Sequence, residues 1–127
     1  MALVRAPRTV SIPASGDLSS NQYRIMAIDD AGRAMAAVDN ATAYIGVLMN
    51  KPAAVDRAAE IAINGSIVKL EAGAVIAERD AIVAVAGGRG SATTTEDDEI
   101  LGYAISPASG SGVLFEVVVT APAQFRT

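Results

Sequence analysis

The chain has 127 residues, 51% of them apolar, a formal net charge of −4, and neither histidine nor cysteine. The lack of histidine excludes a Ser–His–Asp triad, and the lack of cysteine excludes a disulfide scaffold or a cysteine-based zinc site. Scattered basic residues in an acidic chain argue against nucleic acid, because phosphate binding needs clustered Lys and Arg. The longest purely apolar run, Ala81–Ala86, is too short to cross a membrane. We therefore predict a binding protein and not an enzyme.

The predicted elements of the first half are short strands separated by turn residues. Asp30-Ala-Gly32 has the composition of a hairpin turn, in which Gly32 can adopt a positive φ. A turn cluster at 15–21 has room for one helical turn capped by Asp17 or Ser15. Around these turns we predict an extended arm at Met1–Arg8 and strands at Thr9–Ile12, Tyr23–Ile28, Ala34–Val38 and Ala43–Met49.

The second half repeats this pattern after a turn at Asn64-Gly65. Asn-Gly between two apolar runs is a strong hairpin signal, so we expect Ala59–Ile63 and Ser66–Leu70 to pair with each other. No segment of ten or more residues shows a convincing helical period. The further predicted strands are Ala81–Ala86, Ala92–Thr95, Glu99–Ile105 and Val113–Thr120.

Two stretches of the chain resemble each other. Both contain a strand, a turn and a central strand with a glycine (Gly46 or Gly102), followed by a proline (Pro52 or Pro107). We predict an all-β fold, a small barrel or sandwich of short antiparallel strands built from two similar hairpin sets, with extended arms at both ends. The predicted boundaries are an arm at 1–12, one β domain at 13–120 with a pseudo-repeat at 22–70 and 79–120, and a tail at 121–127.

The residues that carry chemistry are few. Glu96-Asp-Asp-Glu99 could offer carboxylates to calcium, but its spacing is not that of an EF-hand loop, so we interpret it as a solvated loop. Lys51 and Lys69 are the residues that a Ser–Lys pair, or a carrier domain with a modified lysine, would use. We interpret both as solvated lysines and predict no metal, no cofactor and no catalytic residue.

The termini and the composition favour contacts with other proteins. The apolar residues of the chain are mostly Ala and Val, and the chain has two Phe, three Tyr and no Trp. A core of such small residues leaves flat surfaces, which favour burial against further copies of the chain. A basic and apolar arm can add a strand to the sheet of a partner. The candidate contact residues are Leu3, Val4, Arg5, Arg8, Val10, Phe125 and Arg126.

Several segments resemble the capsid decoration (cement) proteins of tailed bacteriophages. The resemblance is carried by Ile12–Ile25, Ile28–Arg33, Ala43–Pro52, the Asn64-Gly65 turn and Ile100–Tyr103, and it extends to about Val119. It implies a protein made in the host cytoplasm that binds the outer surface of the assembled head and stabilises it by bridging major capsid protein subunits.

The same resemblance implies a homo-oligomer, with a trimer favoured over a dimer, and no nucleic-acid or membrane partner. Two alternatives stay open at this point. One is another phage structural module, a head-fibre base or a tail component. The other is a small non-viral carrier or binding domain.

Overall fold

A computed structural model of the chain describes residues 8–38, 43–95 and 98–124. These residues are almost entirely strands and turns, as the alternation of apolar and polar residues predicts. A single 3₁₀ turn, Ala86–Gly88, joins β7 to β8 and is the one short helical segment of the described residues. The strands are β1 (Thr9–Pro13), β2 (Ile25–Ile28), β3 (Ala34–Ala36), β4 (Tyr44–Leu48), β5 (Ala58–Ala62), β6 (Ile67–Glu71), β7 (Ala81–Val85), β8 (Arg89–Thr93), β9 (Glu99–Ala104) and β10 (Leu114–Gln124).

The strands form two five-stranded antiparallel sheets with the same internal order. The first sheet has the order β1-β5-β4-β2-β3 and the second β6-β10-β9-β7-β8. Each sheet curls until its two edges meet at an isolated parallel bridge, Ala14 with Ala34 in the first sheet and Ala72 with Gly90 in the second. The predicted all-β fold of short antiparallel strands is confirmed, and each sheet is one complete copy of a repeat.

The equivalence of the two repeats extends to unusual backbone geometry. Tyr23 and Arg79 both adopt a positive φ, of 66° and 71°, which is rare for bulky residues. The N–H of Tyr23 donates to the carbonyl of Leu48, and the N–H of Arg79 donates to the carbonyl of Ala104, both at 2.8 Å. The matching register of β1 with β5 and of β6 with β10 fixes the remaining equivalences. The observed first repeat therefore begins at β1 and the second at β6.

The predicted repeat boundaries need correction. Residues 66–70, placed in the first copy, form β6 of the second sheet, and Thr9–Ile12, placed in the arm, form β1 of the first sheet. The turn at Asn64-Gly65 is present, with Gly65 at a φ of 92° and the Ser66 N–H donating to the Ile63 carbonyl. The hairpin predicted there is wrong, because β5 pairs with β1 and β4 whereas β6 pairs with β10.

The predicted C-terminal tail, residues 121–127, overlaps the last strand. β10 continues to Gln124 and pairs with β9 on both sides of an irregularity between Val119 and Ala123. Residues 121–124 therefore belong to the second sheet. The helical turn allowed for at 15–21 is not formed; the Asp17 carboxylate accepts hydrogen bonds from the N–H and hydroxyl of Ser19 instead.

The largest cluster of buried side chains joins the two repeats. One face of β2 and β4 supplies Ile25, Tyr44 and Val47, and these side chains pack with the buried residues of the second sheet, such as Leu70 and Phe115. A second cluster fills the interior of the first sheet, and a small third one lies on the opposite face of the second sheet. The repeats are thus stacked, with the outer face of the first sheet against the inner face of the second.

Candidate interaction surfaces

An apolar groove opens into the interior of the first repeat, and we call it the first-repeat groove. It is lined by Val10, Ile12, Ile45, Ile63, Asn64 and Ala121 and has a volume of about 270 Å³. Val10 and Ile12 point into it because they alternate along β1 and lie opposite the buried residues Ile61 and Ala59 of β5. The groove therefore presents branched aliphatic side chains to any partner.

Arg8 stands at the rim of this groove. Its backbone N–H donates to the hydroxyl of Ser66 at 2.8 Å, and its carbonyl accepts from the N–H of Ile63 at 2.8 Å. Its guanidinium is exposed and lies 3.4 Å from both the carbonyl and the side-chain oxygen of Asn64. Ser66 is fully buried, so its contacts with the Arg8 backbone fix the place where the chain enters the first sheet.

A second concave surface lies on the outer face of the second repeat, and we call it the second-repeat face. It is lined by Glu78, Arg79, Tyr103, Ala104, Ile105 and Val118, with a volume of about 750 Å³. The side chain of Tyr103 is 39% exposed and that of Ile105 is 41% exposed. An exposed aromatic ring surrounded by branched aliphatic side chains is typical of the centre of a protein interface.

A charged cluster connects the repeats beside their apolar contact. The Glu71 carboxylate accepts a hydrogen bond of 3.2 Å from Nε of Arg24, which belongs to the first repeat. Nε of Arg89 lies 2.9 Å from the other carboxylate oxygen, as an ion pair without the geometry of a hydrogen bond. Arg24 also reaches the carbonyl of Gly87 at 3.4 Å. One carboxylate therefore holds arginines of both repeats.

Two exposed carboxylates have lowered pKa values. The hydrogen bond from the Arg33 guanidinium, 2.7 Å from Oδ1 of Asp56, lowers the pKa of Asp56 and raises that of Arg33. The hydrogen bonds from the hydroxyl and N–H of Ser19 lower the pKa of Asp17. Both carboxylates lie in loops of the first repeat and neither lines the two surfaces described above.

The structure describes only some of the predicted contact residues. Val10 lines the first-repeat groove from β1, and Arg8 directly precedes that strand; both are held within the chain rather than on a free arm. Leu3, Val4, Arg5, Phe125 and Arg126 lie outside the described residues. The second-repeat face was not predicted. Its signal in the sequence is Gly102-Tyr103, which places a large aromatic residue where the first repeat has Gly46-Val47.

The described residues were compared with the requirements of a metal site and of a membrane-spanning helix. Residues 8–38, 43–95 and 98–124 contain no group of three or more acidic side chains placed to hold a metal ion, and Glu96 and Asp97 lie outside them. No helix in that part of the chain is long and apolar enough to span a membrane. Lys51 is exposed in the loop after β4, and Lys69 lies opposite Glu116 in the second sheet.

A known structure has the same fold. The chain matches the N base of the head fibre protein gp8.5 of bacteriophage phi29 with a TM-score of 0.70 and 20% sequence identity, over 94% of this chain and 100% of that one. No family model matches the chain. No curated protein matches it by sequence. At this identity the likeness to the fibre base shows a shared fold.

Proposed function

We propose that this chain is a structural protein of a bacteriophage head, located on the outer surface of the virion, which acts by binding alone. The observation that carries the proposal is the likeness to a phage head-fibre base over the full length of that structure. The resemblance of Ile12–Ile25 and Ala43–Pro52 to capsid decoration proteins supports the same assignment independently.

The proposed partners are the major capsid protein and further copies of this chain, with a trimer favoured over a dimer. Two concave surfaces lined by aliphatic and aromatic side chains support this, because such side chains are enriched at the centre of protein interfaces. The acidic chain gives no support to a nucleic-acid partner.

Two finer functions remain, and each has its own support. A decoration protein would bridge neighbouring capsid subunits and stabilise the head, because a ligand that binds only the assembled lattice shifts the equilibrium toward assembly. The resemblance in sequence favours this function. A head-fibre base would anchor a fibre to the head, and the structural likeness favours that function.

The test uses purified, expanded heads that lack this chain. The purified protein is added and the heads are sedimented; we expect binding that saturates at a fixed number of copies per head. Heating the saturated heads then separates the finer functions. A decoration protein raises the temperature at which the heads release DNA, whereas a fibre base binds to saturation without raising it. Failure to saturate any site on the head would refute the proposal.

The predicted arm is tested in the same assay. A variant lacking residues 1–7 keeps Arg8, whose backbone bonds to Ile63 and Ser66 hold the start of β1. We expect it to fold and to bind heads poorly, since Leu3, Val4 and Arg5 are removed. A variant lacking residues 125–127 tests the other end, because it removes Phe125 and Arg126. Unchanged head binding by both variants would exclude the termini as contact elements.

A further inference from the structure

The contact between the two repeats is directional. The outer face of the first sheet, with Val47 and Ala62 fully buried, covers the inner face of the second sheet. The hydroxyl of Tyr44 reaches across this contact to the backbone N–H of Ala84. Because the repeats are equivalent but the two contacting faces are different, the contact leaves one unused face of each kind.

The first unused face is the first-repeat groove. Its residues Val10, Ile12, Ile45 and Ile63 are equivalent to Val68, Leu70, Leu101 and Val119 of the second repeat. All four of the second-repeat residues are buried beneath the first repeat. Val10 is instead 37% exposed, and Ile28, the equivalent of Ala84, is 38% exposed.

The second unused face is the second-repeat face. Tyr103 and Val118 occupy the positions of Val47 and Ala62, as the pairing of β9 with β7 and β10 shows. Val47 and Ala62 are fully buried against the other repeat, whereas Tyr103 is exposed and Val118 half-buried. The counterparts of Ile25, Ala27 and Tyr44 on this face (Ala81, Val83 and Ile100) are already buried, so the part of the face left open to solvent is the region around Tyr103 and Val118.

We propose that the second-repeat face of one copy of this chain binds the first-repeat groove of another copy. The contact inside the chain serves as the template, since it already joins a face of the one kind to a face of the other. Such a contact is head-to-tail, and copies joined in this way form a closed ring when the rotation between them closes. This inference rests on the homo-oligomer of the proposed function and names the two surfaces through which its copies join.

The contact between copies would differ from its template in its polar groups. At the template, the N–H of Glu71 donates to the carbonyl of Tyr23 at 2.8 Å. Pro13 is equivalent to Glu71 and has no N–H, and Ile100 occupies the position of Tyr44. The apolar side chains of the two faces must therefore supply most of the affinity.

Two complementary variants test the proposal with the free protein and no phage heads. Val10→Glu places a charge in the groove and leaves the face intact, and Tyr103→Glu does the reverse. We expect wild type to be an oligomer by native mass spectrometry and each variant alone to be a monomer. Mixing the two variants restores one intact contact, so we expect a 1:1 dimer. Val75→Glu, at a 70% exposed position outside both surfaces, is the control and should stay oligomeric.

Cross-linking provides a second measurement that does not disturb the contact. The chain has no cysteine, so Val10→Cys and Tyr103→Cys each introduce a single thiol. A short bifunctional maleimide should join the two variants in a mixture and join neither variant to itself. If the Val10→Glu variant of the previous experiment does not fold, Ile28→Glu takes its place, since Ile28 is also exposed on the open face of the first repeat.

The possible outcomes are distinct from those of the head-binding test. A monomeric wild type, an oligomer that survives both glutamate substitutions, or cross-links between like variants would overturn the head-to-tail contact. Any of these results can occur while the protein still saturates sites on heads, and head binding can fail while the contact is present.

Discussion

The hydroxyl of Tyr44 in the first repeat accepts a hydrogen bond of 2.9 Å from the backbone N–H of Ala84 in the second repeat. Both residues are buried, so water cannot replace either partner. A side chain of one repeat thus satisfies the backbone of the other at the centre of their contact.

Tyr44→Phe should destabilise the protein by about 1–3 kcal/mol, because the Ala84 N–H is left buried without its acceptor. Urea unfolding followed by circular dichroism measures this difference. Tyr23→Phe is the matched control, since it removes a hydroxyl from a half-buried tyrosine that lines neither proposed contact surface. Equal losses in the two variants would contradict the role assigned to Tyr44.

Gly46→Ala should destabilise by about 3 kcal/mol or more, at the upper end of the range for overpacked positions. A Cβ atom at position 46 would overlap with the backbone carbonyl of Ala62, and backbone cannot move aside as a flexible side chain can. Gly102→Ala meets the carbonyl of Val118 in the same way.

The control for this pair is Gly110→Ala. No atom lies within 4 Å of a Cβ at that position, so its stability should stay within about 1 kcal/mol of wild type. Thermal unfolding of the three variants under one set of conditions makes the comparison. A Gly46→Ala protein as stable as Gly110→Ala would mean that the two strands do not approach as closely as described.

Glu71→Gln should destabilise by about 1–2 kcal/mol, because it leaves Arg24 and Arg89 facing a neutral group at a partly buried site. The loss should shrink as salt concentration rises, since the ion pairs of wild type are then screened. Glu60→Gln, a half-buried substitution of the same kind outside both proposed contact surfaces, should change stability by less than about 0.5 kcal/mol. Identical effects at the two sites would argue against the cluster.

The pair of Arg33 and Asp56 predicts a dependence of stability on pH. The pKa of Asp56 is lower in the folded protein than in the unfolded chain, where it is about 3.9. Its contribution is therefore present above about pH 4 and is lost as the pH falls through the folded value. We expect wild type to have a higher Tm than Asp56→Asn at pH 7 and the difference to close in stronger acid.

Asparagine suits this test because it tolerates the positive φ of 67° at position 56. The double variant Arg33→Gln/Asp56→Asn should be no less stable than Asp56→Asn alone, since the pair is already broken. A Tm difference that stays constant from pH 7 into strong acid would contradict the contact.

Local turn chemistry predicted the turns of this fold but not the partners of all its strands. The hairpin around Gly32 forms as expected, with β2 paired to β3. The turn at Asn64-Gly65 also forms, yet it carries the chain from one sheet to the other. A turn fixes the direction of a few residues, whereas β5 finds β1 far away in the chain through side-chain packing that no short segment encodes.

The candidate interaction surfaces could likewise be predicted from the sequence only in part. The strand predicted at Thr9–Ile12 forms as β1. That these side chains line a groove, and that Tyr103 lies outside while Val47 is covered, depends on how the repeats stack. When two repeats of one chain are similar, the sequence alone does not show which face of each repeat stays exposed to solvent.

The bridges from Ala14 to Ala34 and from Ala72 to Gly90 have a consequence for aggregation through the edges of the sheets. Each holds the two outermost strands of a sheet against each other at one residue pair, which hinders a strand of another molecule from pairing along either edge there. Exposed margins of flat sheets recruit strands from other molecules and lead to aggregation. The side-chain surfaces of the two repeats, more than the edges of their sheets, are therefore where we expect partners to bind.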